Sequence, residues 1–342
     1  SHHYDPELTF DFCVNEPAWS NQAGIHSAFG STDRLYFRKE VPVNHDNDLS
    51  SSYSTTVWRG ERANAQILVW SSEALEQVRV STQDLRSAEG NIIPKDRITF
   101  ELVRYVLSNY PYAEKKAICG ESPYKSGFLM PDRFETLDRF DLPSQTTRPV
   151  WMMVDVPRGT VPGTYKGQVE VRAKGKAPQL LNLEIVVQNQ LLPYPKDWKY
   201  RLDLWQNPWA VAWYNHVEPW SPEHKMLLKQ HLKHYADAGG TYITTYGVHS
   251  PWSDNSYMIE GGMIEWIKKA DGTWAFDYKI FDEYVELAME CGIDEAITLY
   301  TPIPWGFRHR YKDEATGDYS YINWAPSSEE FKKMWNIFLT DF

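Results

Sequence analysis

Three segments in the last third of the chain share one pattern, in which an apolar run passes into aromatic and polar residues and then a Pro-Trp step. They are RLDLWQNPW (201–209), YITTYGVHSPW (242–252) and AITLYTPIPW (296–305), and each is accompanied by a segment with helical periodicity. Repeated strand, aromatic loop and helix are typical of a parallel β/α barrel, whose functional side chains gather at the carboxyl ends of the strands. The sequence therefore predicts three β/α units here.

Aromatic and polar side chains at these strand ends form the candidate binding site. The C–H face of a pyranose packs against an aromatic ring while polar groups bind its hydroxyls, so this mixture suits a sugar. Any one of these residues also fits a structural role, and it is their threefold recurrence that favours a site. The candidate substrate-binding residues are Asp203, Trp205, Gln206, Tyr246, His249, Trp252, Tyr300, Trp305 and Arg308. Asp203 is expected inside the first predicted strand.

Net charge is −11, and the sequence has no basic cluster, so a nucleic-acid partner is not expected. No run approaches the ~18 apolar residues of a membrane-spanning helix. The sequence shows no metal-ligand spacing, phosphate-binding glycine loop or Ser-His-Asp elbow, so we predict no metal and no cofactor. The chain begins Ser-His-His, which fits a tag remnant or a mature N-terminus. We expect an extracytoplasmic location (secreted, periplasmic or surface-anchored) after signal removal.

The period of the hydrophobic pattern changes near a proline-marked linker at 191–198. Before it, short runs with period-two alternation, such as 57–70 and 148–173, are separated by Pro/Gly-rich turns. This pattern predicts a β-sandwich over residues 1–194, with irregular structure over 109–144. Residues 195–342 are predicted to form the first three units of a (β/α)8 TIM-type barrel. The predicted fold is thus a multi-domain combination of β and α/β.

Helix signals in the second domain are clear. Ser221 and Pro222 are expected to begin a helix that ends at Gly239, and Asp277 is expected to cap the next helix. Asp271-Gly272 predicts a hairpin turn, whereas 301–326 is expected to form a long loop. Ser327 or Ser328 is expected to cap the last helix.

The last helix carries an apolar stripe up to the final residue, Phe342. Three units cannot close a barrel of eight strands, so we expect the remainder of the barrel to come from the same polypeptide. Glycoside cleavage usually needs two carboxyl groups astride the scissile bond. The adjacent acidic pairs Asp282-Glu283, Asp294-Glu295 and Asp313-Glu314 fit a helix start, the wrong barrel face and a solvated turn. None of these three pairs is therefore predicted to be a catalytic dyad.

The chain resembles glycoside hydrolase family 123, the β-N-acetylgalactosaminidases, from about residue 57 to its end. The resemblance rests on VWRGERANAQILVW (57–70), DLPSQTTRPVWMMVDVPRGTVPGTYKGQVEV (141–171) and the DLWQNPW, TYGVHSPW and LYTPIPW strand ends. It implies a β-sandwich before a catalytic barrel and a glycan or glycolipid substrate with terminal β-linked N-acetylgalactosamine.

The resemblance also implies a retaining mechanism in which the 2-acetamido carbonyl attacks the anomeric carbon and forms an oxazolinium. An Asp orients the acetamido group, and the neighbouring Glu acts as general acid and then general base. This pair would follow strand four, beyond Phe342, so the resemblance implies no catalytic residue within this chain. Two alternatives stay open: a non-catalytic carbohydrate-binding surface protein, and a different barrel glycosidase such as a β-galactosidase-like enzyme.

Overall fold

The computed structural model describes residue 7 and residues 16–44, 49–108, 128–251 and 261–342. This part of the protein is mainly β, with four α-helices, and divides into two compact units, Ser1–Leu192 and Pro193–Phe342. The boundary predicted from the sequence, between residues 194 and 195, lies two residues further along the chain.

Two sheets form the first unit. One sheet has the order β1-β3-β10-β7-β8, and the other has the order β2-β12-β11-β4-β9, with β5 and β6 beside β11. All pairs are antiparallel except β2 with β12. The strands are β1 His26–Gly30, β2 Ser52–Arg59, β3 Arg62–Ser71, β4 Leu75–Thr82, β5 Leu85–Arg86, β6 Ile92–Ile93, β7 Ile98–Ser108, β8 Phe128–Thr136, β9 Phe140–Leu142, β10 Thr146–Asp155, β11 Gly163–Arg172 and β12 Gln179–Leu191.

Alternating side chains from both sheets meet in one core. Ile67 and Val69 of β3 belong to the same buried cluster as Val169 and Val171 of β11. Because successive residues of a strand point to opposite faces, every second residue of these strands reaches that cluster. Two sheets that share one core in this way form a β-sandwich.

The irregular structure predicted for 109–144 is wrong in its second part; residues 109–127 lie outside the described residues. Residues 128–142 include β8 and β9, and β8 pairs with β7 as an edge strand. Pro131 lies where the register shifts between Arg104 and Tyr105. A proline lacks the N–H of a sheet ladder but is tolerated at an edge or bulge, so it does not interrupt this strand.

A buried carboxylate in the first unit is surrounded by arginines. Glu7 accepts hydrogen bonds from Arg38 at 2.6 Å and from both terminal nitrogens of Arg148 at 2.9 Å. The side chains of all three residues are less than one-tenth exposed. Tyr105 lies beneath the two guanidinium groups, whose carbons are 5.8 and 5.1 Å from its ring centroid.

The second unit contains two small sheets and the helices. β13 and β16 are parallel and in register from Tyr242↔Ala296 to Tyr246↔Tyr300, and the other sheet has the order β15-β14-β17-β18. The elements are α1 Pro208–Asn215, α2 Pro222–Asp237, β13 Tyr242–Tyr246, β14 Glu265–Lys268, β15 Trp274–Asp277, α3 Lys279–Glu290, β16 Ala296–Tyr300, β17 Arg308–Asp313, β18 Tyr319–Asn323 and α4 Glu329–Asp341. The described residues form no closed barrel.

Two of the three strands predicted for the barrel are present, but the first is not. Residues 201–207 form no strand, so placing Asp203 inside one is a wrong prediction. Hydrogen bonds from side chains, instead of a backbone ladder, fix this segment. The Tyr235 hydroxyl donates to the Leu202 carbonyl at 2.6 Å, and the Tyr246 hydroxyl donates to the Gln206 carbonyl.

The loop predicted for 301–326 is also wrong in part, because it contains the β17–β18 hairpin. Its inward residues explain the pairing. His309 is buried, and its ring lies 5.0 Å from that of Trp324 and 6.0 Å from that of Trp266. The hairpin is therefore part of the aromatic core of the unit.

The predicted helix starts agree with the structure. The Ser221 side chain accepts a hydrogen bond from the His224 N–H, with Pro222 first in α2. Ser328 caps α4 in the same way through Phe331 N. Asp277 accepts from Lys279 N at 2.9 Å, one residue before the N-cap position of α3. Within the described residues, no helix combines the length and apolar character required to cross a membrane.

Candidate functional site

One carboxylate joins the segment 201–207 to both parallel strands. Asp203 Oδ1 accepts a hydrogen bond from Thr244 Oγ1 at 2.6 Å, and Asp203 Oδ2 accepts one from Thr298 Oγ1 at 3.1 Å. Thr244 and Thr298 are paired at the centres of β13 and β16. The Asp203 side chain thus bridges β13 and β16 through hydrogen bonds, although the backbone of residues 201–207 forms no ladder with either strand. Asp203 is exposed, so its carboxylate also faces solvent.

Tyr246 is a buried residue that packs and hydrogen-bonds beneath the exposed residues of the candidate site. Its side chain is fully buried, its ring stacks 5.8 Å from that of Trp209, and its hydroxyl fixes the Gln206 carbonyl. Direct contact between the Tyr246 side chain and a sugar is therefore a prediction that this burial contradicts. Gly261 lies against the Trp209 indole, since a Cβ at that position would lie 2.2 Å from a ring carbon. Gln206 itself is half-buried.

The exposed aromatic rings lie at the same strand ends. The Trp205 and Tyr300 rings are 4.8 Å apart and inclined by 44°. Trp205 is 59% exposed and Trp305 is 51% exposed, values high enough for a ring face to contact a ligand. These two indoles are the best candidates for stacking on a sugar.

Backbone hydrogen bonds connect the loops that follow β13 and β16. Gly247 N donates to the Tyr300 carbonyl at 2.8 Å, and Trp305 N donates to the Pro251 carbonyl at 2.9 Å. His249 lies in the first of these loops, half-buried, where Gly262 approaches its main chain. Trp252 lies outside the described residues. The candidate residues that the structure brings together are therefore Asp203, Trp205, Gln206, His249, Tyr300 and Trp305.

Arg308 begins β17, three residues after Trp305. It is exposed, and its guanidinium carbon lies 3.7 Å from the centroid of the Tyr321 ring. Sequence reasoning missed Tyr321, because its role depends on the hairpin that was expected to be a loop. A period-two alternation in RHRYKD and YSYIN could have revealed both strands.

Sequence reasoning also missed His224. The ring is fully buried, its Nδ1 accepts from Trp220 N at 2.8 Å, and its Nε2 donates to the Pro208 carbonyl at 2.9 Å. Burial lowers the pKa of His224, against the opposing effect of the Pro208 hydrogen bond. The neutral ring therefore fixes the start of α1, directly beside the candidate site. Its position at the third residue after Ser221, in a predicted helix, gave no indication of that bond.

The acidic pairs have structural roles in this part of the protein. Glu283 pairs with Lys225 at 3.3 Å. Hydrogen bonds from Thr241 and Tyr242 lower the pKa of Glu295, and the Lys269 hydrogen bond lowers the pKa of Glu314. A general acid needs a raised pKa, so neither of those two carboxyls suits that role. No group of side chains suitable for holding a metal ion was found within the described ranges.

A cleft of about 410 Å³ lies beside α2, α3 and the four-stranded sheet. Its lining includes an aromatic ring and charged side chains of both signs: Trp220, Lys225, Glu265, Lys279, Glu283 and Arg310. Glu265 lies on β14 and Arg310 on β17 of the four-stranded sheet, and none of the candidate residues in the described part of the chain lines this cleft.

A sandwich followed by a β/α unit with exposed rings at its strand ends has the arrangement of a glycoside hydrolase, and comparison with known proteins supports that class. The chain matches two family models, "Glycoside hydrolase 123 N-terminal domain" over residues 29–173 and "Glycoside hydrolase 123, catalytic domain" over residues 205–342. Together they cover most of the chain, which belongs to glycoside hydrolase family 123. The family inferred from the sequence is therefore confirmed.

A family 123 glycoside hydrolase from Clostridium perfringens has a similar structure, described in connection with glycolipid glycan hydrolysis. The two share 25% sequence identity with a TM-score of 0.85 over 94% of this chain and 55% of that one. This chain thus spans about half the length of that protein. No curated protein matches it significantly by sequence.

Two further solved structures resemble this chain only weakly. The PapD-like domain 7 of human CEP192 shares 12% identity over 54% of this chain and 99% of that one, with a TM-score of 0.25. The Bacteroides ovatus GH5 xyloglucanase shares 9% identity over 73% and 44%, with a TM-score of 0.21. Likeness at this level carries no argument about function.

Proposed function

We propose that this chain forms the front part of a glycosidase that removes terminal β-linked N-acetylgalactosamine from glycans or glycolipids. Membership of family 123 supports hydrolysis of a glycoside, and the similar Clostridium perfringens protein was studied for glycolipid glycans. The observation that carries the proposal is the exposure of the Trp205 and Trp305 indoles, together with the solvent-facing Asp203 carboxylate. We place the protein outside the cytoplasm, where such glycans are found.

The proposed mechanism is retaining and substrate-assisted. The acetamido oxygen attacks the anomeric carbon, the glycosidic bond breaks as a general acid protonates the leaving oxygen, and water then opens the oxazolinium. The Asp-Glu pair for these steps is proposed to follow a fourth strand of a (β/α)8 barrel, beyond Phe342. The residues of this chain would bind and orient the sugar. Trp205 and Trp305 would stack on it, and Asp203 would accept hydrogen bonds from its hydroxyls.

The test uses a polypeptide that continues beyond Phe342. It should hydrolyse 4-nitrophenyl β-N-acetylgalactosaminide with retention of configuration and bind a thiazoline analogue of the oxazolinium. The matching β-galactoside, which lacks the acetamido group, should be a poor substrate. Equal turnover of the two would instead support the β-galactosidase-like alternative. Loss of both turnover and thiazoline binding would contradict the proposal.

The rings can be tested separately in this chain. Trp205→Ala and Trp305→Ala should each weaken sugar binding by about 1–3 kcal/mol, as for other aromatic anchors. Trp198→Ala provides a matched control, because that indole stacks on Tyr200 instead of lying at the strand ends. Glycan binding by the folded chain without turnover by the extended polypeptide would favour the non-catalytic alternative.

A further inference from the structure

One face of the β17–β18 hairpin is basic, aromatic and exposed. We define this outer face as Arg308, Arg310, Lys312, Tyr319 and Tyr321, which alternate along the two strands with inward residues such as His309. The chain as a whole carries a net charge of −11, so a concentration of cations on one small sheet face stands out from its surroundings.

The two arginines of the outer face are held in the same way. The Arg308 guanidinium carbon lies 3.7 Å from the Tyr321 centroid, and the Arg310 guanidinium carbon lies 4.2 Å from the Tyr319 centroid. In each pair the tyrosine is the diagonal cross-strand neighbour of the arginine. Stacking limits the rotamers of a guanidinium but leaves the N–H groups at its edge available, which favours bidentate contact with an anion.

The charges of the outer face are incompletely neutralised. Arg310 lies 3.9 Å from Glu265, which also accepts a hydrogen bond from the Tyr319 hydroxyl at 3.1 Å. Among the described residues, no carboxylate forms a salt bridge with Arg308 or Lys312. An exposed cation without a partner loses little by binding an anionic ligand, because it gives up no existing ion pair.

The two ends of the hairpin differ in charge. Asp313, Glu314 and Asp318 lie at the turn, where Glu314 pairs with Lys269 at 2.8 Å and Asp313 accepts from Ala315 N. Lys312 is next to this acidic turn, whereas Arg308 is at the opposite end, three residues from Trp305. Four residues of strand separate Arg308 from Lys312, a distance of roughly 13 Å. The positive end of the outer face is therefore the end nearest the candidate sugar site.

We propose that the Arg308–Tyr321 and Arg310–Tyr319 pairs form a subsite for an anionic substituent, a carboxylate or a sulfate, on the sugar unit next to the one bound at the strand ends. The proposal rests on the proposed function, since it places the terminal sugar at Trp205 and Trp305. The guanidinium edges would bind the anion, and the tyrosine rings would contact the sugar that carries it. Only Arg308 is among the residues predicted from the sequence.

The experiment measures calorimetric affinity of the folded chain for three disaccharides. Each has β-linked N-acetylgalactosamine at its end, and the second sugar is galactose, galactose 3-sulfate or glucuronic acid. The wild-type chain should bind the sulfated or the carboxylated probe more tightly than the neutral one, and salt should reduce that preference. Whichever anionic probe binds more tightly identifies the source of the negative charge.

Arg308→Gln should weaken binding of the preferred anionic disaccharide by about tenfold, as expected for loss of a charge-assisted hydrogen-bond pair, and should weaken binding of the neutral disaccharide by a clearly smaller factor. Arg308→Lys keeps the charge but loses the planar guanidinium, so its affinity for the anionic disaccharide should lie between those of the wild type and Arg308→Gln. Arg172→Gln is the control: Arg172 is also an exposed arginine on a strand, β11 of the first unit, and its replacement should leave all three affinities unchanged. Thermal unfolding of each variant checks that the hairpin stays folded.

Several outcomes would overturn the proposal. No preference for either anionic probe, or an equal loss of neutral and anionic binding in Arg308→Gln, would contradict the subsite but leave the proposed function standing. Failure to bind all three probes would contradict both. Tighter binding to phosphatidylserine vesicles than to any disaccharide, lost in Arg308→Gln, would assign the outer face to a membrane surface instead.

Discussion

The cores of the two units are built from different side chains. In the sandwich, Val, Ile and Leu fill most of the buried cluster, and its buried aromatic members are Phe29 and Tyr165. In the second unit, rings make up about half of the buried cluster, and three of them, Trp324, Trp335 and Phe338, contact the ring of Trp266. Sheet-on-sheet packing presents regular rows of inward positions that suit branched aliphatic residues, whereas short strands and helices leave irregular spaces that large rings fill.

This difference changes the meaning of the high aromatic content. A content of 15 Trp and 21 Tyr is compatible with carbohydrate contact. Much of the surplus instead serves the core of the second unit, where the Trp266 ring lies within 6.5 Å of the rings of Trp274, Phe276, His309, Trp324, Trp335 and Phe338. Composition alone therefore cannot distinguish a sugar site from an aromatic core. Exposure combined with a position at the strand ends separates them, and the two criteria together select Trp205 and Trp305, whereas Trp213 is also exposed but lies in α1.

The largest expected effect tests the aromatic core. Trp266→Ala removes a buried ring and its hydrogen bond to the Gly247 carbonyl, so it should cost about 3–5 kcal/mol of unfolding free energy. Hydrogen exchange read by mass spectrometry should show lost protection in β13 and β16, with β3 unchanged. Ile67→Ala in the sandwich is the matched change and should give the reverse distribution. Loss of protection in both units from either variant would contradict two separate cores.

The next effect concerns the buried charge of the sandwich. Glu7→Gln leaves Arg38 and Arg148 buried without their carboxylate, so it should cost about 3 kcal/mol. Burial raises the pKa of Glu7, but hydrogen bonds and charge from Arg148 and Arg38 outweigh it, so the net pKa is lowered. The wild type should therefore lose this stabilisation as pH falls below about 4.5, the ordinary value, and Glu7→Gln should lack that dependence.

Asp155→Asn supplies the control for Glu7. Asp155 pairs with Arg62 at 2.6 Å on the surface of the same unit, with both side chains about half exposed. Exposed pairs contribute less than about 1 kcal/mol, so chemical denaturation should show a much smaller change than in Glu7→Gln. Equal losses in the two variants would mean that burial of the Glu7 cluster adds nothing.

Sequence predicted the elements that local chemistry decides. Ser221, Pro222 and Ser328 mark helix starts because capping involves only neighbouring residues, and Asp271-Gly272 marks a tight turn for the same reason. The β17–β18 hairpin was not predicted, although RHRYKD and YSYIN have the period-two alternation of strands. Its packing, in which His309 and Ile322 contact the aromatic core formed by distant elements, cannot be read from a short window of sequence.

The candidate site was also predicted only in part. Asp203 and the strand ends of β13 and β16 could be located from the repeat of apolar runs and Pro-Trp steps. The sequence could not show which rings face solvent, because Tyr246 and Trp209 have the same local pattern as Trp205 and yet are buried. Trp209 belongs to α1, a helix that was not predicted from the sequence, and its ring stacks on that of Tyr246.

A smaller effect tests how the first segment is held in the second unit. Asp203→Ala removes the acceptor for both Thr244 and Thr298, and we expect a loss of about 1–2 kcal/mol, because the carboxylate is exposed. Thr298→Val removes one of the two hydrogen bonds and should cost less. If Thr298→Val costs as much as Asp203→Ala, the two-strand bridge is not what stabilises residues 201–207. Urea unfolding of the three chains measures this.

The smallest expected effect contrasts the two units in acid. Burial lowers the pKa of His224 and His309 from 6.5, so the unfolded state binds more protons than the folded state below that pH. Stability of the second unit should be complete above pH 6.5 and decline as the pH falls below it, while the sandwich, whose Glu7 pKa is lowered, holds until below 4.5.

Hydrogen exchange at pH 7, 6 and 5 checks this order, once the intrinsic pH dependence of exchange is removed. β13 and β16 should lose protection before β3 and β10. His309→Phe keeps a ring among Trp266, Trp324 and Trp335 but cannot take up a proton, so it should reduce the pH dependence of the second unit. If the variant shows the wild-type slope, or if the sandwich opens first, buried neutral histidines do not set the acid sensitivity of the second unit.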